Sequence, residues 1–353
     1  MKLAVCSVAL CLTLVTFALS FSTAVARGGE PLQTDESRRA DLYNCWYVNR
    51  EKNPSAAYDC GKRFLAQFGA AGDLHAAAVG KFIWEYDNPN KVKFEGLFRQ
   101  LEAGAEGNEA AVLARVFTTG QQLLERQPDD LTVLIRLSNA GFIAQKRKLD
   151  NYSSSAAKFA DLAIKQIESG RSPEASFSNY PEVYRPRSVW SPFENKDDAL
   201  ANLYYTLGFI QQAKAPELAS ASFFRALQFE SRLTKDPLIQ ALMAIAYDSS
   251  AWEKASQKYR SMDNAPQPDR EAALGTLFAI TDRLMGYYAR AVALSGDDVL
   301  YKQAKETASA RLEVLYKFRH ENSVTGLPEL VRAALDQPLT DPAAPLPVAP
   351  VGT

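Results

Sequence analysis

Histidine is almost missing from this chain: His75 and His320 are the two present in 353 residues. Neither sits in an H-E-x-x-H pattern, and no cysteine pair has ligand spacing, so no zinc site is expected. His75 reads as a helix-surface residue. His320 reads as a polar residue near the last turn of its helix, where a cation is favoured. Phosphate-cradling loops are missing as well, since no G-x-x-x-x-G-K-[ST] and no G-x-G-x-x-G occurs. No nucleophile elbow of the form G-x-S-x-G and no calcium loop is present. Acidic runs such as QPDD (127–130) and NKDD (195–198) precede apolar periodic segments, where Asp caps helix amides. Nothing singles out an acid and a base, so no enzyme, no catalytic residue, no cofactor and no metal is expected.

An excess of positive charge is also missing. The formal net charge is −1, and no basic run exceeds KRK at 146–148, which disfavours nucleic acid as a partner. Long apolar runs are missing after Phe21, so no membrane span is expected beyond the leader. Alternating runs of β-branched residues are missing too, which removes the signal for a sheet.

What is present begins with the leader. MKLAVCSVALCLTLVTFALSFSTAVA has one positive charge, Lys2, then an apolar run from Leu3 to Phe21, then Ala24 and Ala26 in an A-x-A arrangement. This pattern predicts a secretory signal peptide over 1–26, cleaved near Ala26, and hence a periplasmic or secreted protein. Ser and Thr thin the apolar run and a cleavage site follows at once, which weighs against a membrane anchor. Of the four cysteines, Cys6 and Cys11 leave with the leader, and Cys45 and Cys60 remain. Two thiols in an exported chain predict one disulfide. The helical reading supports it, because 38–50 and 55–68 look like antiparallel helices joined at Asn53-Pro54.

From Asp35 to about Gln337 apolar residues recur at i, i+3, i+4 and i+7 among Ala, Leu, Glu, Gln, Lys and Arg. The spacing predicts an all-α fold. Helices are expected at 37–50, 55–68, 73–85, 90–103, 108–126, 130–145, 154–169, 196–212, 216–230, 236–247, 251–262, 269–294, 298–319 and 326–336. Short loops with Gly, Pro, Asn or Asp predict antiparallel hairpins in series, stacked as an α-solenoid. The expected organisation has a flexible stretch at 27–36 and helical repeats at 37–170. A Pro- and aromatic-rich connecting loop follows at 171–195, then further repeats at 196–336. The Pro/Ala-rich tail at 337–353 is expected to be disordered. The loop holds Phe177, Tyr180, Tyr184, Trp190 and Phe193, which would form a ligand surface or cover a seam. Asn151-Tyr152-Ser153 matches a glycosylation sequon.

In the segment 199–229, Tyr204, Leu207 and Gly208 are followed by Ala219, Phe223 and Ala226. This resembles a tetratricopeptide repeat, a helix–turn–helix unit of about 34 residues. A second match runs from 131 to 163, with Leu134, Leu137 and Ser138, then Ala156, Ala160 and Ala163. Residues 38–68 and 236–260 are weaker echoes. The resemblance implies a right-handed superhelix with a concave groove that holds a protein or peptide partner. It implies groove positions at Thr132, Ile135, Asn139 and Phe142, and at Asn202, Tyr205, Phe209 and Gln212. The competing expectation for Ile135, Phe142 and Phe209 is packing against adjacent hairpins. The alternative function is an exported helical enzyme or ligand carrier acting on envelope glycans.

Overall fold

The computed structural model describes residues 34–69, 73–104, 108–173 and 189–347. The expected signal peptide lies outside these residues, as do Phe177, Tyr180 and Tyr184 of the connecting loop. Among the described residues the regular structure is helical, with no strand. No helix among them is long and apolar enough to cross a membrane.

The chain divides after Gln67. The first unit is a hairpin of α1 (Asp35–Asn49) and α2 (Pro54–Phe68). The Thr34 side chain accepts from the Ser37 amide and starts α1, so residues 35 and 36 are helical rather than part of a flexible lead. Pro54 opens α2, where its missing N–H costs nothing. Leu42, Trp46, Ala57 and Phe64 are buried between the two helices. Cys45 and Cys60 stand at disulfide distance, Sγ to Sγ 1.92 Å and Cα to Cα 6.0 Å.

The second unit runs α3 (Leu74–Asp87), α4 (Pro89–Glu102), α5 (Glu109–Arg126), α6 (Leu131–Lys146), α7 (Ser153–Glu168), α8 (Lys196–Gln211) and α9 (Pro216–Ala226). Then follow α10 (Pro237–Tyr247), α11 (Glu253–Arg260), α12 (Gln267–Ser295), α13 (Lys302–Arg319) and α14 (Leu327–Ala333). Each helix from α3 to α10 packs on the next, and α4·α6 and α6·α8 also touch. The starts are chemically marked. Asp73, Asp130, Asn195 and Asp236 accept amides in the first turns of α3, α6, α8 and α10, and proline opens α4, α9 and α10.

Close approach within the hairpins depends on two glycines. A Cβ on Gly141 of α6 would stand 2.0 Å from the Ala156 Cβ of α7, and one on Gly208 of α8 would stand 2.7 Å from the Phe223 ring of α9. The contact in the earlier hairpin therefore falls at Gly141, one turn beyond Ser138. Two apolar cores form, one from Phe94 to Leu207 and one from Ala219 to Ala334. Trp190 and Phe193 of the connecting loop pack on the first.

Two further expectations are corrected. Residues 236–260 are not a hairpin. A π-helical turn, Asp248–Trp252, joins α10 directly to α11. No Gly or Pro interrupts it, and the Ser249 and Ser250 hydroxyls donate to the carbonyls of Ile245 (2.9 Å) and Ala246 (2.6 Å). Those bonds tie the turn back to the last turn of α10. The other correction is the tail. Residues 337–347 are seated on α12 rather than disordered, because Arg283, Tyr287 and Arg290 donate to the carbonyls of Gln337, Thr340, Pro342, Ala344 and Pro345.

Candidate functional site

The α6–α8 face gathers three of the residues expected to line a groove. The Phe142 ring centre lies 5.2 Å from that of Tyr205 and 5.4 Å from that of Phe209, the latter edge-on. Tyr205 and Phe209 are 6.2 Å apart. Offset and edge-to-face pairs at these separations are favourable arrangements of ring quadrupoles. All three rings are half-buried. They join two helices that are not neighbours in the sequence, and Tyr205 also stands 5.9 Å from the Phe223 ring of α9.

Helical spacing sets what borders the rings. Asn139 is one turn from Phe142, and Gln212 is one turn from Phe209, so each amide shares a face with the cluster. Both are half-buried. Lys146 lies one turn further along α6, with Nζ 5.5 Å from the Phe142 ring centre, in cation–π range. Burial pushes the Tyr205 phenol up to about 12, and the Asp236 carboxylate at the start of α10 adds to the rise. The phenol is thus a neutral hydrogen-bonding group at physiological pH. The face can take an apolar or aromatic side chain against its rings and peptide groups against its amides.

The other expected residues do not join this cluster. Ile135 is 1 % exposed and belongs to the first core. Asn202 is half-buried, and its Nδ2 donates to the Asp198 carbonyl (2.8 Å) and carboxylate (3.1 Å) of its own helix, so its amide is spent locally. Thr132 is half-buried in the first turn of α6, about 15 Å along the axis from Phe142 at the α-helical rise. Of the histidines, His75 is exposed in the first turn of α3, and His320 ends α13 with its ring 4.2 Å from Tyr316. No group of three or more metal-ligating side chains occurs among the described residues.

Sequence reasoning missed a second cluster. The Asp248 carboxylate in the π turn receives Arg311 of α13 and the Tyr288 hydroxyl of α12 (3.1 Å). The Arg311 guanidinium lies 4.6 Å from the Trp252 ring centre, and Trp252 Nε1 donates to Thr281 at 3.0 Å. These bonds tie the π turn, α12 and α13 together. Only the D-S-S-A-W segment hints at it in the sequence.

No family profile matches the chain, and neither curated proteins nor solved structures offer a match.

Proposed function

We propose that the chain is an exported helical-repeat scaffold of tetratricopeptide-like architecture, and that its α6–α8 face binds a protein or peptide partner. The observation that carries this reading is the half-buried ring cluster of Phe142, Tyr205 and Phe209, flanked by the amides of Asn139 and Gln212. Aromatic anchors with a polar rim are the usual make-up of a binding patch.

Support for stacked hairpins comes from links between alternate helices. Lys91 and Glu95 of α4 pair with Asp130 and Arg136 at the start and first turns of α6. Glu168 of α7 pairs with Arg225 of α9 at 3.2 Å. Tyr204 of α8 spans the same pair of hairpins, donating to Glu168 at 2.8 Å and stacking on Phe229. Such two-row stitching is what a solenoid requires. Export is supported by the leader pattern and by the cysteine pair at disulfide distance.

The test is a crosslinking pull-down with residues 27–353 as bait and a photo-crosslinker at Gln212. A control bait carries Phe209→Asp. A partner crosslinked by the parent and lost by the control is the expected result. Equal capture by both baits, or capture with no crosslink at Gln212, sinks the reading.

A further inference from the structure

The segment Gln337–Pro347, QPLTDPAAPLP, is seated on α12 by donors that address only its main chain. Arg283 Nη1 donates to the carbonyls of Pro342 (3.1 Å) and Ala344 (2.8 Å), and Nη2 to that of Pro345 (3.0 Å). The Tyr287 hydroxyl donates to Thr340 O at 2.9 Å. Arg290 Nη1 donates to the carbonyls of Ala334 (3.2 Å) and Gln337 (3.0 Å). Arg283, Tyr287 and Arg290 follow one another at i, i+4 and i+7, so they form one ladder along a single helix face.

The chemistry of the ladder suits a particular kind of peptide. Pro338, Pro342, Pro345 and Pro347 have no N–H, so the segment is rich in carbonyls that its own amides cannot satisfy. Two guanidinium forks, which have no acceptor, and a phenol supply the donors. Leu339 and Leu346 add apolar anchors, half-buried against the second core. An open pocket of about 150 Å³ lies where α12, α14 and the segment meet, bordered by Gly286, Tyr287, Leu330, Pro338 and Leu339.

We propose that the α12 ladder is a recognition site for proline-rich peptides, and that residues 337–347 are a displaceable occupant held there in cis. The site reads carbonyl spacing and two apolar anchors rather than a unique sequence, so a proline-rich peptide supplied in trans competes for it. This site is separate from the α6–α8 face and stands without it. While the chain's own segment is seated, the apparent affinity for a second peptide is lowered by the fraction of time the site is open.

The probe is a fluorescein-labelled synthetic peptide with the sequence QPLTDPAAPLP, followed by anisotropy. The proteins are the full chain, the full chain with Leu339→Asp and Leu346→Asp to unseat the segment, and that double variant with Arg283→Gln added. The expected result is binding to the double variant at least about tenfold tighter than to the parent. Arg283→Gln abolishes the gain, and a peptide with its prolines replaced by alanine binds more weakly. Equal binding to parent and double variant overturns the proposal. So does no binding to a folded double variant, or assembly of that variant into dimers without peptide. The parent chain supplies an independent reading by hydrogen exchange. Excess unlabelled peptide speeds exchange at the Ala343 and Ala344 amides, which bond back to Asp341 in the seated segment, if occupants trade places, and unchanged exchange shows a fixed part of the fold.

Discussion

Arg311 Nε and Nη2 reach the two carboxylate oxygens of Asp248 at 2.7 and 2.8 Å, a bidentate pair that joins α13 to the π turn between α10 and α11. The Arg311 guanidinium also covers the Trp252 ring, and Tyr288 donates to the same carboxylate. Arg311→Ala leaves a half-buried carboxylate with one donor and removes the cover from the indole. The expected loss is about 3 kcal/mol of unfolding free energy, read by urea denaturation. Arg311→Lys recovers only part of it, because a single ammonium cannot serve both oxygens. A loss below about 0.5 kcal/mol for Arg311→Ala contradicts this account.

Alkaline pH acts on the α6–α8 face through Tyr205. Burial raises its phenol from 10.0 to about 12 in the folded chain. A raised native value means that the folded state holds the proton more tightly than the unfolded state. Stability from this group is complete below pH 10 and is lost as pH rises toward 12. Tyr287 and Tyr288 are raised in the same direction by burial and add to the loss. Melting temperature should therefore fall steeply above pH 10, and Tyr205→Phe should flatten part of that fall. An identical slope in Tyr205→Phe removes this residue from the explanation.

Gly141→Ala places a methyl group 2.0 Å from the Ala156 Cβ, a contact that cannot exist without parting α6 and α7. Better helix propensity offsets about 1 kcal/mol, and overpacking costs about 1–3 kcal/mol or more, so a net loss is expected. Adding Ala156→Gly returns most of it. A double-mutant cycle with no coupling between these positions would show that the backbones are not in contact.

Reduction of the Cys45–Cys60 pair, or Cys45→Ser, acts on the first unit. The cysteines are 15 residues apart, and closing such a loop stabilises by about 3 kcal/mol in the chain-entropy picture. Amide exchange in α1 and α2 should accelerate in reductant while that of α6 to α9 stays unchanged. Free thiols in the protein purified from an oxidising compartment would contradict the pairing.

Much of the helical fold was legible because its punctuation is local. Pro54, Pro89, Pro216 and Pro237 open helices at their first residue, and Asp73, Asp130 and Asn195 cap others, so most boundaries follow from chemistry within one turn. The same local reasoning misjudged Asp248-Ser249-Ser250 as a break. The serine hydroxyls bond back to the preceding turn and keep the rod intact. At the candidate site, Phe142, Tyr205 and Phe209 are named through the repeat resemblance, and their contact across α6 and α8 equally meets the competing expectation of packing between hairpins. Asn202 failed because Asp198, one turn earlier, captures its amide. The α12 ladder was not legible, since Arg283 and the carbonyls it holds lie about 60 residues apart and only the tertiary fold introduces them.

The π turn also bears on how this chain tolerates change in length. A π turn holds one residue more than the α turn in its place, so the extra residue is taken up locally and the helix beyond keeps its facing. Deleting Ser249 should therefore close the turn to an ordinary helix and leave Trp252 on Thr281 and Lys254 on Glu217. The same deletion within α10 has nothing to take it up, and it would turn all that follows by about 100°. The rod should thus tolerate the loss of one residue at the π turn better than on either side of it.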